Sequence, residues 1–394
     1  MQLTGNYFLK LSFGGIEVPT YQRFLRRFDV IQDINKFLPS FDIALLDPQG
    51  SLTHLVPFDA TMSRLDIQVA DDMTLTNYNE YELEIYRRKP IGKFATGALY
   101  EITGLLDMEG MLTPDYCRAS NGSMKTFLEG IAINELGCDT TNVSPSLDYP
   151  NMILQPNWNN ATLFDDLKCR LVGKNGEPLF YIFISVRNGK TIFNCMSFNE
   201  LAAGSTQFKF IINDDPYQDY IPVFTYKIFD NYKILGVFAS KEQDYSYYDY
   251  YAGQFVNATA TLDNFLSLSK YFLIDQSDTT DSNCMTGLGR TNESTKDFKN
   301  EVYASYYGRT ANMVKMWITT WGINNICPGD RVQVLFGQGV ASGNLATCQY
   351  SGNWLVEKLI HSYGKTHRMK VLLMRNGLDT DQDCTLIKAQ KEAT

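Results

Sequence analysis

Histidine, cysteine and the acidic side chains are the residues most able to do chemistry in this chain, and their spacing argues against it. His361 and His367 flank a turn late in the sequence, and His54 stands alone. A catalytic or metal-binding imidazole needs partners at short range, and none is legible near them, so both read as packed or surface side chains. The eight cysteines, at 117, 138, 169, 195, 284, 327, 348 and 384, form no Cys-x-x-Cys pair and lie near no histidine pair. Reduced thiols and no metal site are therefore expected. Glu357 beside Lys358, inside an apolar run, reads as an edge or interface ion pair rather than an acid/base couple. Thr286-Gly-Leu-Gly-Arg290 lacks the trailing Gly-Lys-Ser/Thr of a phosphate-binding loop. Neither Gly-x-Ser-x-Gly nor His-Glu-x-x-His occurs. No cofactor and no enzymatic activity are expected.

What rises above background is aromatic. Asp244-Tyr-Ser-Tyr-Tyr-Asp-Tyr-Tyr251 is a tyrosine run. Tyrosine supplies contact area with a hydrogen-bonding tip and is enriched at interfaces, while a two-faced strand in an aromatic core would give the same run. Tyr245, Tyr247, Tyr248, Tyr250 and Tyr251, with Trp354 at the head of a long apolar segment, are the candidate interface residues.

Composition limits the partners. A net charge of −9 makes the chain a poor grip for nucleic acid, where Lys and Arg must neutralise phosphates. It suits a surface past which DNA slides. No window approaches the roughly 20 apolar residues of a membrane-spanning helix. Met1-Gln-Leu-Thr-Gly-Asn6 has neither the basic nor the apolar region of a secretory signal, so the five Asn-x-Ser/Thr matches read as chance and the cytoplasm as the place of synthesis.

The elements that position these residues are mostly strands. Tyr7–Phe13, Phe41–Leu46, Leu65–Val69, Tyr81–Tyr86 and Leu99–Leu106 have the alternating or apolar character of strands, and Gly14-Gly15 reads as a hairpin turn. Tyr21–Leu38 fits either a short helix or a strand. Residues 1–107 thus read as a first β-barrel domain. Residues 108–206 read as an α+β domain: a helix after Ser123, a second over Ala161–Val172 capped by Asn160, and a hairpin turning at Asn188-Gly189. Residues 207–240 and 314–376 read as a second barrel, with strands at Phe208–Ile212, Val223–Phe229, Lys233–Ala239 and Val314–Thr320. It is split by an insertion, 241–313, that packs with the α+β domain. The insertion contains an exposed loop, Asp275–Lys296, and a helix over 298–313 with Phe298, Val302 and Tyr306 on one side. Residues 377–394 form a polar tail. The second barrel closes on a turn, Pro328-Gly-Asp330, a strand Arg331–Phe336, and a hairpin of Trp354–Tyr363 with Met369–Met374. The fold class is α+β, mainly β: two tube-like antiparallel barrels with an α+β insertion.

In domain order, length and texture the chain resembles the baseplate hub proteins of contractile-tailed bacteriophages, the T-even type, which are related to the hub part of type VI secretion spike proteins. The resemblance rests on the barrel at 1–107, the α+β insertion, and the closing Pro328-Gly-Asp330, Trp354-Leu-Val-Glu-Lys-Leu359 and Met369–Met374 segments. It implies a homotrimer in which each chain supplies two barrels, so that three copies imitate a sixfold ring. It further implies a separate central spike protein below, a tail tube or tube-initiator protein above, and baseplate wedge proteins around it. DNA would pass through unbound. The place would be the virion tail baseplate, assembled in the host cytoplasm. Two other readings of the residues stay open, a receptor- or carbohydrate-binding tail protein and a tail-associated cell-wall hydrolase.

Overall fold

Strict alternation of apolar and polar side chains builds the opening sheet. Its strands are β1 (Phe8–Phe13), β2 (Ile16–Glu17), β3 (Leu25–Asp33), β4 (Ser40–Asp47), β5 (Arg64–Ala70), β6 (Tyr78–Phe94) and β7 (Gly97–Leu106). The order is β2-β1-β5-β6-β7-β4-β3, every neighbour antiparallel. Leu9, Leu11, Val30, Phe41, Ile43, Leu65, Ile67 and Leu83 all turn to one face and are buried. The segment Tyr21–Leu38, open between helix and strand in the sequence, is the strand β3 from Leu25 to Asp33. Pro90, which cannot donate to a ladder, sits at a register shift of the long β6, where its missing N–H costs nothing. The computed structural model describes residues 7–13, 16–17, 25–47, 64–70, 78–94, 97–174, 176–212, 220–230, 242–249, 253–261, 271–272, 281–287, 302–305, 307–308, 311–336 and 349–378.

The next segment lies over the inner face of that sheet. It comprises β8 (Tyr116–Ser123), α1 (Met124–Asn134), β9 (Thr140–Val143), β10 (Pro150–Trp158), α2 (Asn160–Arg170), β11 (Phe180–Arg187), β12 (Lys190–Ser197) and α3 (Phe198–Ala203). Ser123 caps α1, its hydroxyl accepting from the Thr126 N–H. The cap of α2 is Asn159 rather than Asn160, because Asn160 is buried and spends its amide on the Gly110 carbonyl at 2.7 Å and on Glu135. Asn188 and Gly189 both have positive φ, 52° and 71°, the double left-handed turn that joins β11 to β12. Leu128, Phe164 and Phe193 of this segment share one hydrophobic cluster with Phe28, Phe41 and Ile67 of the opening sheet.

The remaining strands are β13 (Thr206–Ile212), β14 (Ile221–Asp230), β15 (Glu242–Asp249), β16 (Gln254–Thr261), β17 (Tyr271–Phe272), β18 (Asp281–Gly287), β19 (Val314–Trp321), β20 (Arg331–Phe336), β21 (Gly352–Tyr363), β22 (His367–Arg375) and β23 (Gly377–Leu378). Six of them close on themselves in the order β21-β20-β13-β14-β19-β22, a complete barrel. It is not antiparallel throughout, since β13 runs parallel to both its neighbours. The β13–β14 overlap is only Phe210–Ile212 against Ile221–Val223, so the chain returns a short distance instead of the whole strand length a parallel crossover usually demands. Asp281–Gly287, inside the segment expected to be an exposed loop, is a strand paired with β15. Its polar composition conceals it; the ladder is supplied by its neighbour. Val302, Tyr307 and Ala311 are buried, Tyr307 and Ala311 in a cluster with Tyr181, Phe183, Leu355 and Met374. Lys233–Ala239, Phe298 and Tyr306 lie outside the described residues.

Candidate functional site

The two sheets meet on one strand. β21 gives the first part of one edge, Gly352 to Leu355, to β20 of the closed barrel. It gives the second part, Lys358 to Tyr363, to β3 of the opening sheet. The change of partner falls at Glu357, where the register with β22 also shifts. A bulge inserts one residue and turns the strand, so one strand can follow two differently curved sheets. The result is a single sheet of thirteen strands running through both halves of the chain.

Three groups of contacts pin this seam. At the bulge, the Glu357 carbonyl accepts from the Ile34 N–H at 3.0 Å. Its buried carboxylate accepts from Lys315 Nζ at 2.7 Å and from the Asn35 amide at 3.2 Å. Next to it, Lys358 Nζ lies 3.7 Å from Asp33. The pair Glu357–Lys358 therefore does sit at an edge, each member bonded to a different element. Beside the bulge, the Gly329 N–H donates to the Val356 carbonyl and the Val356 N–H to that of Asp330. Asp330 also accepts from the Cys327 N–H at 2.9 Å and from Arg187 at 2.5 Å. This ties the Pro-Gly-Asp turn to β11. Burial pushes the Cys327 thiol up to about 11, so it is an inert packed group at neutral pH.

The third group lies at the hairpin end. His361 Nδ1 and His367 Nε2 share a hydrogen bond of 3.1 Å, both rings being fully buried. Tyr363 stacks on His367 with ring centres 4.1 Å apart, and Tyr7 meets both rings edge-on. The Tyr7 hydroxyl donates to the Gly364 carbonyl at 2.5 Å and that of Tyr363 to Asn324 at 2.8 Å. Asn324 in turn accepts at its carbonyl from Asn79 of β6. Tyr7 ahead of β1 and residues of β6, β21, β22 and the β19–β20 connection thus converge on one packed cluster.

Burial lowers the His367 pKa to about 3. The unfolded chain takes up a proton near pH 6.5 while the folded chain refuses it, so stability is complete above pH 6.5 and is lost as pH falls toward 3. Between pH 7.5 and 5 this loss comes to about 2 kcal/mol. Denaturant midpoints across that range should fall by this amount in the natural chain. A His367→Gln variant with an equal fall would refute the assignment.

At the seam the polar contacts named above bridge the two sheets, while Glu357 Oε2 and Asn324 Nδ2 are buried and, among the described residues, accept or donate no hydrogen bond. Among the described residues no cluster of three or more metal-binding side chains occurs, and no helix is long and apolar enough to cross a membrane. The structure places Tyr245 inside the fold, 3% exposed on β15, and Tyr248 half-buried against Phe255. Tyr247 is a β15 residue opposite Val256, whereas Tyr250 and Tyr251 lie outside the described residues. Trp354 is wholly buried in the closed barrel, its indole N–H on the Tyr350 carbonyl and the Arg375 guanidinium over its ring. The seam includes Trp354's own strand, whereas Tyr245, Tyr247 and Tyr248 lie on β15, which pairs with β16 and β18. Sequence reading did not connect Tyr7, Asn79, Gly322 and Asn324 to this cluster, because their partners lie 39 to 357 residues away. The burial of His361 did carry a signal, since it falls on the same alternate positions as Leu359 and Tyr363.

No described protein family matches the sequence, and no curated protein does. Solved structures do match. A tail protein from Neisseria meningitidis superposes with a TM-score of 0.60 at 10% identity, over 95% of this chain and 98% of that one. The 43 kDa tail protein of prophage MuSo2 from Shewanella oneidensis gives 0.56 at 11% identity, over 95% and 100%. An Escherichia coli component of the type VI secretion system, described as similar to phage T4 tail proteins gp27 and gp5, gives 0.50 at 9% identity, over 93% and 76%. Near full-length superposition at such low identity means that the backbone plan persists where the side chains do not, and the chain therefore has the fold shared by phage tail proteins and this secretion-system component.

Proposed function

We propose that the protein is the structural hub of a contractile phage baseplate or a related injection machine, with no catalytic role. The observation that carries this reading is the seam: one chain joins two strand-built units of similar size, edge to edge, through β3 and β21. A homotrimer of such chains presents six units in a ring while keeping threefold symmetry. That is what is needed to join a sixfold tail tube above to a threefold spike below, with wedge proteins around. Closed rotational symmetry is also the usual state of soluble homo-oligomers. The net charge of −9 favours a passage that DNA crosses without adhering. The likeness to two tail proteins, one of them from a prophage, and to a secretion component supports the same placement, in the virion tail after assembly in the host cytoplasm. In this reading 1–107 and the split 207–240 and 314–376 segments are the two ring units, 108–206 with 241–313 forms the outer buttress, and 377–394 is a tail.

The test is the mass of the purified protein in solution over a wide concentration range. The reading predicts three chains per particle. A monomer at every concentration, also in the presence of spike protein, would overturn it.

A further inference from the structure

The far walls of the two strand-built units carry opposite charge. In the closed barrel, β14 is the third strand from β21 by either route, so its outer side faces directly away from the seam. In the opening sheet, β6 is the third strand from β3, and Tyr7, just ahead of β1, returns to the seam through its hydrogen bond to the Gly364 carbonyl. β6 is therefore the far wall on the other side of the molecule.

On β6, Tyr81 and Leu83 turn inward and are buried, which sends Glu80, Glu82 and Glu84 outward. Asp66 of β5 stands directly opposite Glu82, and Arg64 opposite Glu84, so the strip is acidic on balance and not throughout. Beyond the register shift at residue 86 the sign changes to Arg87, Arg88 and Lys89. The acidic strip is thus confined to the first half of the strand, which allows few axial positions for a partner.

The opposite wall is basic around an aromatic centre. Phe224, 43% exposed, meets Trp321 edge-on with ring centres 4.8 Å apart. The Arg368 guanidinium lies within 6 Å of both rings, at 5.9 and 5.8 Å. Lys227 and Lys370 point outward on either side and are exposed. Among the described residues no carboxylate forms an ion pair with Lys227 or Arg368, while Lys370, nearer the seam, lies within electrostatic reach of Asp29 of β3.

We infer that the acidic first half of β6 in one copy docks on the basic, aromatic wall of β14, β19 and β22 in the next copy. Because the two walls lie on opposite sides of the chain, the contact runs head to tail, and such a contact closes into a ring when its rotation divides the circle. Charge complementarity selects the partner and speeds the encounter, and the Phe224–Trp321 pair supplies the apolar centre. The inference rests on the ring reading given above and names the surfaces that make it.

Three chains test it: Glu82→Lys with Glu84→Lys, Arg368→Glu with Lys370→Glu, and one carrying all four changes. All four residues are exposed, so unchanged thermal midpoints should show that each chain folds. Sedimentation at low salt should show self-association of either two-site chain weakened by roughly a hundredfold, and the four-site chain, its walls exchanged, restored to the natural mass. The natural ring should loosen as salt rises. If either reversed chain keeps the natural mass at low salt, the walls are not the contact, while the trimeric reading stands. If the natural chain never associates, the ring reading itself falls and this inference with it.

Discussion

Gly322→Ala should be among the most damaging single substitutions in the chain, although it adds one methyl group. A Cβ at this position would lie 2.1 Å from three atoms of the His367 ring. That ring cannot move aside. It is stacked on Tyr363, bonded to His361, and its own carbonyl accepts from the Gly322 N–H at 3.0 Å. Forcing extra volume into a packed core costs typically 1–3 kcal/mol, and more where nothing can yield. Here the methyl must also separate the histidine pair, whose buried nitrogens would lose their partners at a further cost of about 1–3 kcal/mol. We expect about 4 kcal/mol in all, read as a fall in the denaturant midpoint. His367→Ala in the same background should recover part of the loss by opening room for the methyl. A Gly322→Ala chain as stable as the natural one would show that the hairpin end is not tightly packed.

Glu357→Ala should weaken the seam by about 3 kcal/mol, the usual result of removing one member of a buried ion pair. Its carboxylate is the common acceptor for Lys315 of the closed barrel and Asn35 of the opening sheet. Without it both donors remain in a poorly solvated place. Lys315 is 25% exposed along its side chain and can partly reach water, which sets the effect at the lower end of the range. The expected signature is specific. Amide exchange should quicken at β3 and at Lys358–Tyr363 of β21 and remain slow in β19 and in the β22 strand of the barrel. Equal acceleration in both units would mean that they unfold as one and that Glu357 is not a seam residue.

Much of this architecture was legible in the sequence because its strands are one-sided. Leu65-Asp-Ile-Gln-Val69 and Val314–Thr320 alternate, and the structure buries the alternate residues. The Asn188-Gly189 turn could be read because few residue pairs accept two positive φ angles. The ribbon of β8 and β10 was not legible. Its sequences, Tyr116–Ser123 and Pro150–Trp158, are rich in Ser, Asn, Gly and Pro, and its outward side keeps Met152 and Leu154 exposed, which inverts the usual pattern. β18 escaped for a similar reason. Asn159 and Asn160 are equally good caps in isolation; a contact with Gly110, fifty residues away, decides between them. The seam was the hardest feature to foresee. Trp354–Tyr363 reads as one strand of a hairpin, and nothing local says that one edge serves two partners. That information lies in the register of β3 and β20, which belong to the opposite ends of the chain. The tyrosine run illustrates the opposite difficulty. Its composition suits a surface and a core alike, and burial of Tyr245 follows from pairing with β16 and β18 on both sides.

The most direct test of the central claim is a set of electron-microscope images of the purified oligomer viewed down its axis. The account predicts six similar lobes around a central opening with strict threefold symmetry, each chain giving two neighbouring lobes. A ring with three lobes, with a filled centre, or with one lobe per chain would contradict it.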